Sequence, residues 1–407
     1  MARPIHILFI TGEYPPAVGG VGDYTRQLGR ALIDRGQRVS VLTSAPANEQ
    51  DDRSEPAVIP LGTTWSWPMW RQALRVIRLL TPDVVHIQYQ TGAYAMHPAI
   101  NLLPWRIRRL PQRPRIAVTA HDLRLPYLLP KAAPLRAWVT ARLFDDADAL
   151  ILSNAEDQRR ARGQSPPDRE LFSPRSAVGV PTTVIPIGTN ITPQPHHGYD
   201  RERWRGRLGL APDTVLLAYF GLLNRSKGVL DLLAALAELP PRFRLLIIGG
   251  AAPLPEDQRY AAEVQATIVE RGLSERVQIT GPCTEAEVSG HLLAADMTVL
   301  PFLDGASYRR GSLLAALAHG TPTITTAPPT PLDPPLEDGA HALVLPKADA
   351  VLLRAAIERL AADRALQARM ATGARVVAAA FGWPGIAERH EALYHTLLGA
   401  IHEKAEL

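Results

Sequence analysis

Cysteine and lysine are both scarce in this chain of 407 residues, and each scarcity narrows the classes of protein that the chain fits. The single cysteine, Cys283, excludes an intrachain disulfide and is typical of a reducing compartment. Lysine occurs only at positions 131, 227, 347 and 404, so nearly all the positive charge is arginine. Because this bias runs along the whole chain, most arginines are interpreted as solvated surface groups, and a functional role is expected only where they cluster.

Long apolar runs are also absent. No stretch approaches the ~20 apolar residues that a membrane-spanning helix needs, and the segment MARPIHILFIT holds an apolar run of one strand's length. The formal net charge of +4 is small for this size, and no nucleic-acid recognition motif accompanies the basic residues. These absences predict a cytoplasmic protein that is soluble or bound to a membrane surface and that does not bind nucleic acid.

The chain is too long for one ordinary core, and alternating strand and helix patterns predict two domains. The strands predicted in the first half are 5–11, 38–43, 84–88, 116–119 and 149–152, with a glycine loop at 19–22 and a helix at 23–34. The strands predicted in the second half are 215–220, 244–248, 277–280, 297–300, 321–325 and 342–345, with a helix at 229–239. This alternation predicts an α/β protein with doubly wound parallel sheets. The predicted parts are an N-terminal domain 1–191, a linker 192–200, a C-terminal domain 201–378 and a helical segment 379–407.

The most informative segment is TGPCTEAEVSGHLLAADMTVLPFLDGASYRRGSLLAALAHG, residues 280–320. It predicts a buried strand, then a turn at 304–311, then a helix from Ser312 that Gly320 ends. In a parallel α/β sheet such a turn lies at the carboxyl ends of the strands, where ligands bind. Arg309, Arg310 and Gly311 stand directly before the helix, and two guanidinium groups beside a helix N-terminus predict an anion site.

Seven segments, in their order and spacing, resemble the family 4 glycosyltransferases, which are retaining nucleotide-sugar enzymes of the GT-B fold. The segments are GEYPPAVGGVGDY from Gly12, PDVVHIQY from Pro82, VTAHD from Val118, ADALILSN from Ala147, VIPIG from Val184, YFGLLNRSKG from Tyr219 and the segment 280–320. The resemblance covers nearly the whole chain. It implies two Rossmann-like domains facing a central cleft, with the active site in that cleft and a final helix near 384–400 packed on the first domain. It also implies sugar transfer from a nucleoside diphosphate to an acceptor hydroxyl, with no metal, no cofactor and no protein nucleophile.

The resemblance also implies roles for residues in both halves. Lys227 matches a lysine that binds the donor phosphates, and Asn224 and Arg225 of the same loop are further donor-binding candidates. The backbone at Gly19 and Gly20 matches a loop beside the donor diphosphate. His121 matches a histidine near the reacting sugar, although an unassigned histidine is more often a surface or core residue. With Lys227 and Arg310, it completes the set of predicted catalytic residues; Asp122 either orients its ring or serves the acceptor.

Two features of the family are missing. The family usually has an arginine directly after the glycine that ends the first strand of the second domain, where this chain has Leu222. It also has two glutamates separated by seven residues, and the ungapped equivalents are Ser307 and Ala315. A two-residue insertion would instead bring Asp304 to the sugar-facing position.

The two arginines before Ser312 suggest how the missing cation is replaced. We infer that the positive charge lost at Leu222 has moved to Arg309 and Arg310 on the facing turn, and Arg225 is a second candidate for the replacement. The alternative is a catalytically silent GT-B protein that acts as a binding or complex subunit. A sugar-nucleotide epimerase fits less well, because its acid-base carboxylates have no match.

Tryptophan and arginine cluster in the first half, in TTWSWPMWRQALRVIRLL from Thr63 and PWRIRRLPQRPR from Pro104. Trp65, Trp67 and Trp70 precede a basic helix, and Trp105 is followed by five arginines. This composition is typical of a lipid interface or of a site for a lipid-linked acceptor. Helix packing and the chain-wide arginine bias explain the same residues without a membrane. The acceptor class therefore stays open between a sugar, a lipid-linked molecule and a small molecule.

Overall fold

The structure is a computed structural model that describes residues 3–17, 19–44, 52–62, 64–121, 123, 133–161, 180–189, 191–251 and 255–405. The chain divides into two compact units. Unit 1 contains Met1–Gly188 and Trp383–Leu407, and unit 2 contains Thr189–Gly382. The boundaries drawn from the sequence at 191 and 378 lie a few residues from these, and the segment 192–200 belongs to unit 2.

Unit 1 is built on a seven-stranded sheet in which every neighbouring pair is parallel. Its strands are β1 (His6–Thr11), β2 (Arg38–Thr43), β3 (Ala57–Pro60), β4 (Val84–Tyr89), β5 (Arg115–Ala120), β6 (Ala149–Leu152) and β7 (Thr182–Val184). They lie in the order β3-β2-β1-β4-β5-β6-β7. Strands β1, β4 and β6 are buried along their whole length, as expected for a parallel sheet covered on both faces.

Helices cover this sheet on both faces. The first five are α1 (Gly20–Asp34), α2 (Met69–Leu80), α3 (Leu103–Ile107), α4 (Ala133–Asp145) and α5 (Ala155–Ala161). One core cluster joins the sheet to α2, α3 and α4 through Met69, Leu103 and Leu143. The cluster on the other face contains Leu28 of α1.

Unit 2 repeats the architecture with six parallel strands. The strands are β8 (Val215–Phe220), β9 (Phe243–Ile248), β10 (Val277–Ile279), β11 (Met297–Leu300), β12 (Thr323–Thr326) and β13 (Leu343–Leu345). The helices are α6 (Arg201–Arg207), α7 (Val229–Ala237), α8 (Pro255–Glu270), α9 (Glu285–Ala294), α10 (Gly311–His319), α11 (Ala350–Ala362) and α12 (Arg364–Ala379). The strand order is β10-β9-β8-β11-β12-β13, the doubly wound order of dinucleotide-binding folds.

The last helix, α13 (Trp383–Ala405), belongs to unit 1 and packs against α1. Its residues Ile386 and Tyr394 are fully buried in the same core cluster as Leu28. No helix in the described part of the chain is long and apolar enough to cross a membrane.

The strand order fixes where ligands are expected in each sheet. In each sheet the strand order reverses beside the first strand of the unit. This switch point lies between β1 and β4 in unit 1 and between β8 and β11 in unit 2. In open α/β sheets ligands bind outside the carboxyl ends of the strands at this switch point. The loops that follow β8 and β11 are therefore the expected ligand loops of unit 2.

The predicted α/β fold with two doubly wound parallel sheets is confirmed. Strands β2, β6, β8 and β11 have the predicted bounds. Strands β3 and β7, which are the two edge strands of unit 1, were not predicted from the sequence. Both are short and have one neighbour each, so neither carries the long apolar run that identifies a central strand.

Candidate active site

The loops that follow β8 and β11 are held together by close backbone contacts. Gly228 has a φ of +65°, and a Cβ built on it would lie 2.0 Å from the carbonyl oxygen of Pro301. No larger residue fits there without a shift of the backbone. The Leu303 N–H donates to the Ser226 carbonyl at 2.9 Å. These contacts bring the 3₁₀ turn Arg225–Lys227 beside the turn that precedes α10.

Two cations lie on one aromatic ring at this junction. The Lys227 Nζ lies 5.1 Å from the ring centroid of Phe302, and the Arg310 Cζ lies 4.2 Å from it. Burial, with a contribution from the Arg310 charge, lowers the pKa of Lys227 to about 8, and Asp304 opposes this shift. Because two positive charges are held close together, an anion placed beside them is stabilised by both.

Asp304 is the acid that faces this pair of cations. It forms an ion pair with Arg310, whose side chain is 14% exposed whereas that of Asp304 is 59% exposed. Ser307 shapes the turn between them, because its hydroxyl oxygen accepts from the Arg309 N–H at 3.3 Å and its carbonyl accepts from the Arg310 N–H at 3.0 Å. An incoming anion would compete with Asp304 for Arg310.

The N-terminus of α10 points its free donors at the same place. The N–H groups of Leu313 and Leu314 both donate to the Arg310 carbonyl, at 3.0 and 3.2 Å, so those of Gly311 and Ser312 have no partner within the helix. Ser312 is buried, and its hydroxyl has no hydrogen-bond partner in the described structure. The first turn contains no acidic residue. Backbone donors, an unpartnered hydroxyl and two cations together make this turn a candidate anion-binding site.

The side chain of Arg225 contacts α8 and not the Phe302 ring. Its guanidinium bonds the Glu263 carboxylate of α8 at 2.6 Å and lies over the ring of Tyr260, so it does not replace the lost cation in this arrangement. Asn224 supports the 3₁₀ turn, because its Oδ1 accepts a 2.8 Å hydrogen bond from the Ser226 hydroxyl.

Leu222 and Ala315, which are two of the positions that depart from the family, have different surroundings. Leu222 is 51% exposed and follows Gly221, on which a built Cβ would lie 3.8 Å from Ser312 Cβ. Ala315 is fully buried in an apolar cluster that includes Leu216. Position 222 therefore lies near the anion site, whereas position 315 contributes packing and offers a ligand no polar group.

Unit 1 places an acid where the sequence predicted an open glycine loop. Helix α1 begins at Gly20 and not at Asp23, and the Val21 N–H of its first turn donates to Glu13 Oε1 at 3.0 Å. A Cβ built on Gly19 would lie 2.2 Å from the carboxyl carbon of Glu13. The N-terminus of α1 is thus already occupied by a carboxylate, and the Gly19–Gly20 backbone can receive another anion only if Glu13 moves. Glu13 was not predicted from the sequence as a residue of this loop.

His121 lies at the end of β5 in a defined protonation state. Its Nε2 donates to Gln88 Oε1 at 2.9 Å, and its ring meets the ring of Tyr24 edge-on at 4.8 Å. Burial, with a contribution from the charge of His390, lowers the pKa of His121 to about 3. The neutral ring therefore presents an unprotonated Nδ1 as a hydrogen-bond acceptor. Asp122, proposed from the sequence to orient this ring or serve the acceptor, lies outside the described residues.

A buried network behind His121 joins α13 to the sheet. His390 Nε2 lies 3.4 Å from the Tyr24 hydroxyl, and His86 bonds Tyr394 through Nδ1 at 2.6 Å and Thr119 through Nε2 at 2.7 Å. Burial lowers the pKa of both His86 and His390. His86, which the sequence left unassigned, is a neutral core residue. In the described part of the chain no three His, Cys, Asp or Glu side chains come together as a metal-binding group.

The fold and the candidate site together define a two-domain Rossmann-like protein with a basic ligand edge in its second unit. Residues 19–176 match the family described as Glycosyl transferase 4-like domain, and residues 214–363 match the family described as Glycosyl transferases group 1. Together these matches cover most of the chain. The chain belongs to the family 4 glycosyltransferases, which is the family that its motifs resemble.

Individual relatives agree with this assignment. A D-inositol 3-phosphate glycosyltransferase of Xylanimonas cellulosilytica is 26% identical over 390 residues, which cover 90% of this chain and 88% of the relative. Sucrose-phosphate synthase from Thermosynechococcus elongatus has a TM-score of 0.70 at 22% identity, covering 98% of this chain and 100% of that one. HepE of Anabaena in complex with UDP has a TM-score of 0.71 at 19% identity, covering 97% and 100%. These structures show that the fold is GT-B.

Proposed function

We propose that this glycosyltransferase moves a sugar from a nucleoside diphosphate donor to an acceptor hydroxyl, with retention of the anomeric configuration. The observation that carries the proposal is the start of α10, where Lys227 and Arg310 lie on the Phe302 ring and the Ser312 hydroxyl has no partner in the described structure. A diphosphate leaving group gains negative charge in the transition state, and fixed donors and cations stabilise that charge. The UDP complex of HepE supports this class of donor.

The proposed chemistry uses each group of the site in one role. The N–H groups of Gly311 and Ser312 and the Ser312 hydroxyl donate to the diphosphate, while Lys227 and Arg310 neutralise it. The bond between the anomeric carbon and the diphosphate oxygen breaks, and the acceptor oxygen bonds the anomeric carbon from the same face. The acceptor proton passes to the departing phosphate, so the reaction needs neither a protein nucleophile nor a metal.

Asp304 changes partner in this scheme. While no donor is bound its carboxylate pairs with Arg310, and it is the more exposed of the two side chains. When the diphosphate takes Arg310, the carboxylate is freed to accept a hydrogen bond from a hydroxyl of the transferred sugar. Asp304 then has the sugar-facing role that Ser307 is too short to fill, and Arg309 remains an exposed neighbour of the site.

The acceptor side of the proposal rests on unit 1. The unprotonated Nδ1 of His121 accepts a hydrogen bond from a sugar hydroxyl, and Gln88 fixes the ring that presents it. The Gly19–Gly20 backbone becomes available to a phosphate group only when Glu13 leaves Val21. We propose a sugar, a lipid-linked molecule or a small molecule as acceptor, and a cytoplasmic location that includes the inner face of the membrane.

A thermal-shift screen with UDP, GDP, ADP, dTDP and their sugars tests the donor class. A ligand that binds only the native state at a hundred times its Kd stabilises it by ~2.7 kcal/mol. One nucleoside diphosphate should therefore raise the melting temperature clearly, and at the same concentration the rise should be about half as large in Arg310→Ala.

The product of the matching donor sugar gives the second readout. NMR of the glycosidic bond should show the donor's anomeric configuration, whereas an inverted product would disprove retention. If no nucleotide shifts the melting temperature, the donor class is wrong. Binding without transfer to any acceptor would favour the silent binding subunit.

A further inference from the structure

One face of unit 1 combines exposed arginines with exposed tryptophans. We call it the basic aromatic face and define it by Trp67, Arg71, Arg75 and Arg78 on and before α2, Arg109 after α3, and Trp138 on α4. Helix α3 contacts both α2 and α4, so the three helices form one continuous surface. This surface covers the sheet face opposite to α1 and α13.

The positive charge of this face is not balanced by acids. Residues 64–115 contain eight arginines and one acid, Asp83. Arg71, Arg75 and Arg78 are all exposed, and their spacing places them along one side of α2. None of the three has a carboxylate within ion-pair distance among the residues that the structure describes, and Asp83 pairs with Arg3.

Arg113, unlike the arginines of α2, has an acidic partner. Its guanidinium makes two hydrogen bonds to the Asp148 carboxylate, at 2.7 and 3.0 Å, and that carboxylate also lies within 4.0 Å of Arg108 and Arg115. Those arginines are structural ion-pair partners. The arginines of α2 have no such role, so their charge is available to an external anionic partner.

Both tryptophans of this face are exposed to solvent. Trp67 is 48% exposed and Trp138 is 55% exposed, although burial of so large an apolar ring is favourable. The ring of Trp67 meets Trp70 edge-on at 5.0 Å, and the Arg109 Cζ lies 3.7 Å from the ring centroid of Trp105. Exposed tryptophan beside arginine is the composition of membrane interfaces, where the ring lies at the level of the headgroups.

We infer that the basic aromatic face binds the surface of an anionic lipid bilayer. The arginines of α2 lie against headgroup phosphates, and Trp67 and Trp138 enter the boundary between headgroups and acyl chains. The charge requires an anionic partner, and the tryptophans favour one with an apolar layer beneath its charges. The inference deepens the proposed function, because it brings the enzyme to lipid-linked acceptors, but the binding itself needs neither donor nor transfer.

Co-sedimentation of the full chain with vesicles tests this inference. The protein should bind vesicles that contain phosphatidylglycerol, should not bind pure phosphatidylcholine, and should dissociate as salt shortens the Debye length below ~10 Å. Each surface arginine is worth ~1 kcal/mol, so reversing Arg71, Arg75 and Arg78 to Glu should weaken binding at least a hundredfold. Trp67→Ser should weaken the binding that remains at moderate salt.

The matched control reverses Arg271, Arg354 and Arg359 to Glu, which changes the net charge equally on exposed positions of unit 2. It should bind vesicles as the parent does. Both triple variants should keep the parent's thermal shift with the matching nucleotide, so a failure of donor binding is seen separately. If both triple variants lost vesicle binding equally, net charge and not this face would explain the binding, and the inference would be wrong. The inference would also be overturned if the parent bound neutral and anionic vesicles equally, or if it bound no vesicles at low salt.

Discussion

Helices α1 and α10 both begin at the ligand edge of a doubly wound sheet, yet their first turns differ in charge. At α1 the Glu13 carboxylate accepts the Val21 N–H at 3.0 Å. At α10 the preceding residue is Arg310, no acid lies in the first turn, and the Ser312 hydroxyl has no partner in the described structure. Both termini carry the same partial positive charge from their backbones. The difference lies in what the neighbouring side chains already supply.

This comparison shows that a glycine-rich helix start is not by itself an anion site. The three glycines at 19, 20 and 22 look more like a phosphate loop than the RRGS segment of α10 does. In unit 1, however, the Glu13 carboxylate already occupies the helix start. In unit 2 the helix start has two cations beside it, Lys227 and Arg310, and the Ser312 hydroxyl has no partner in the described structure. The unit 2 terminus should therefore dominate donor binding, and four predictions test this difference.

The largest effect is expected for Lys227→Ala. A hydrogen bond to a charged group is worth ~1.5–3 kcal/mol, so kcat/KM with the donor should fall by one to two orders of magnitude. The melting temperature without ligand should change little, because burial already disfavours the Lys227 charge. Lys347→Ala is the matched control, since Lys347 is exposed and lies near Asp349. Steady-state kinetics equal to the parent's would remove Lys227 from the site.

Arg310→Ala should weaken nucleoside diphosphate binding about tenfold, as expected for a lost charge-assisted contact, and should weaken monophosphate binding less. Arg309→Ala should have a smaller effect, because Arg309 is exposed whereas Arg310 lies on the Phe302 ring. Leu222→Arg should partly rescue Arg310→Ala, because position 222 lies near Ser312. Calorimetric titration of the double-mutant cycle measures this coupling. Strictly additive effects would show that the two positions do not share a ligand.

Diphosphate affinity should fall as the pH rises through about 8, which is the pKa of Lys227. Below this pH the amine is charged and binds phosphate; above it the free protein has lost that charge, and binding must take up a proton. Lys227→Arg should flatten the profile, because a guanidinium stays charged across this range. The measurement is the nucleotide Kd from pH 6 to 10. The same slope in Lys227→Arg would assign the titration to another group.

The smallest effects are expected at α1. Removing a side chain that caps a helix N-terminus costs ~0.5–2 kcal/mol, so Glu13→Ala should lower the free energy of unfolding by about this amount. Gly19→Ala should cost a similar amount, because the added Cβ displaces the Glu13 carboxylate. Denaturant unfolding of the double variant should show that the two costs do not add. Additive costs would mean that Glu13 and Gly19 act independently.

The fold could be predicted from the sequence because its central strands are buried on both faces. Strands such as β6 and β11 appear as short apolar runs between polar turns, and their bounds are unambiguous. The edge strands β3 and β7 lack such runs. The glycines at 19–22 predict a loop that ends before Asp23, whereas in the structure the helix already begins at Gly20 and its Val21 N–H donates to Glu13.

The candidate site could be predicted only in part. The sequence indicates Lys227, Arg310 and Ser312 as candidates because each belongs to a motif within its own loop. Gln88 was missed because it lies thirty-three residues from the His121 ring that it orients. Arg225 was predicted to bind the donor, but its guanidinium pairs with Glu263. Nothing local in the sequence indicates these partners.

The sequence by itself determined the family, the two parallel sheets and the loops that carry the charged residues, because apolar runs, glycines and motif order are properties of neighbouring residues. Tertiary structure alone decided the charge at each helix start. It placed Lys227 and Arg310 on one buried ring, and it seated Glu13 against Gly19. The reason is physical: interactions between charges, and the cost of burying them, depend on distances in space that folding creates between separate segments.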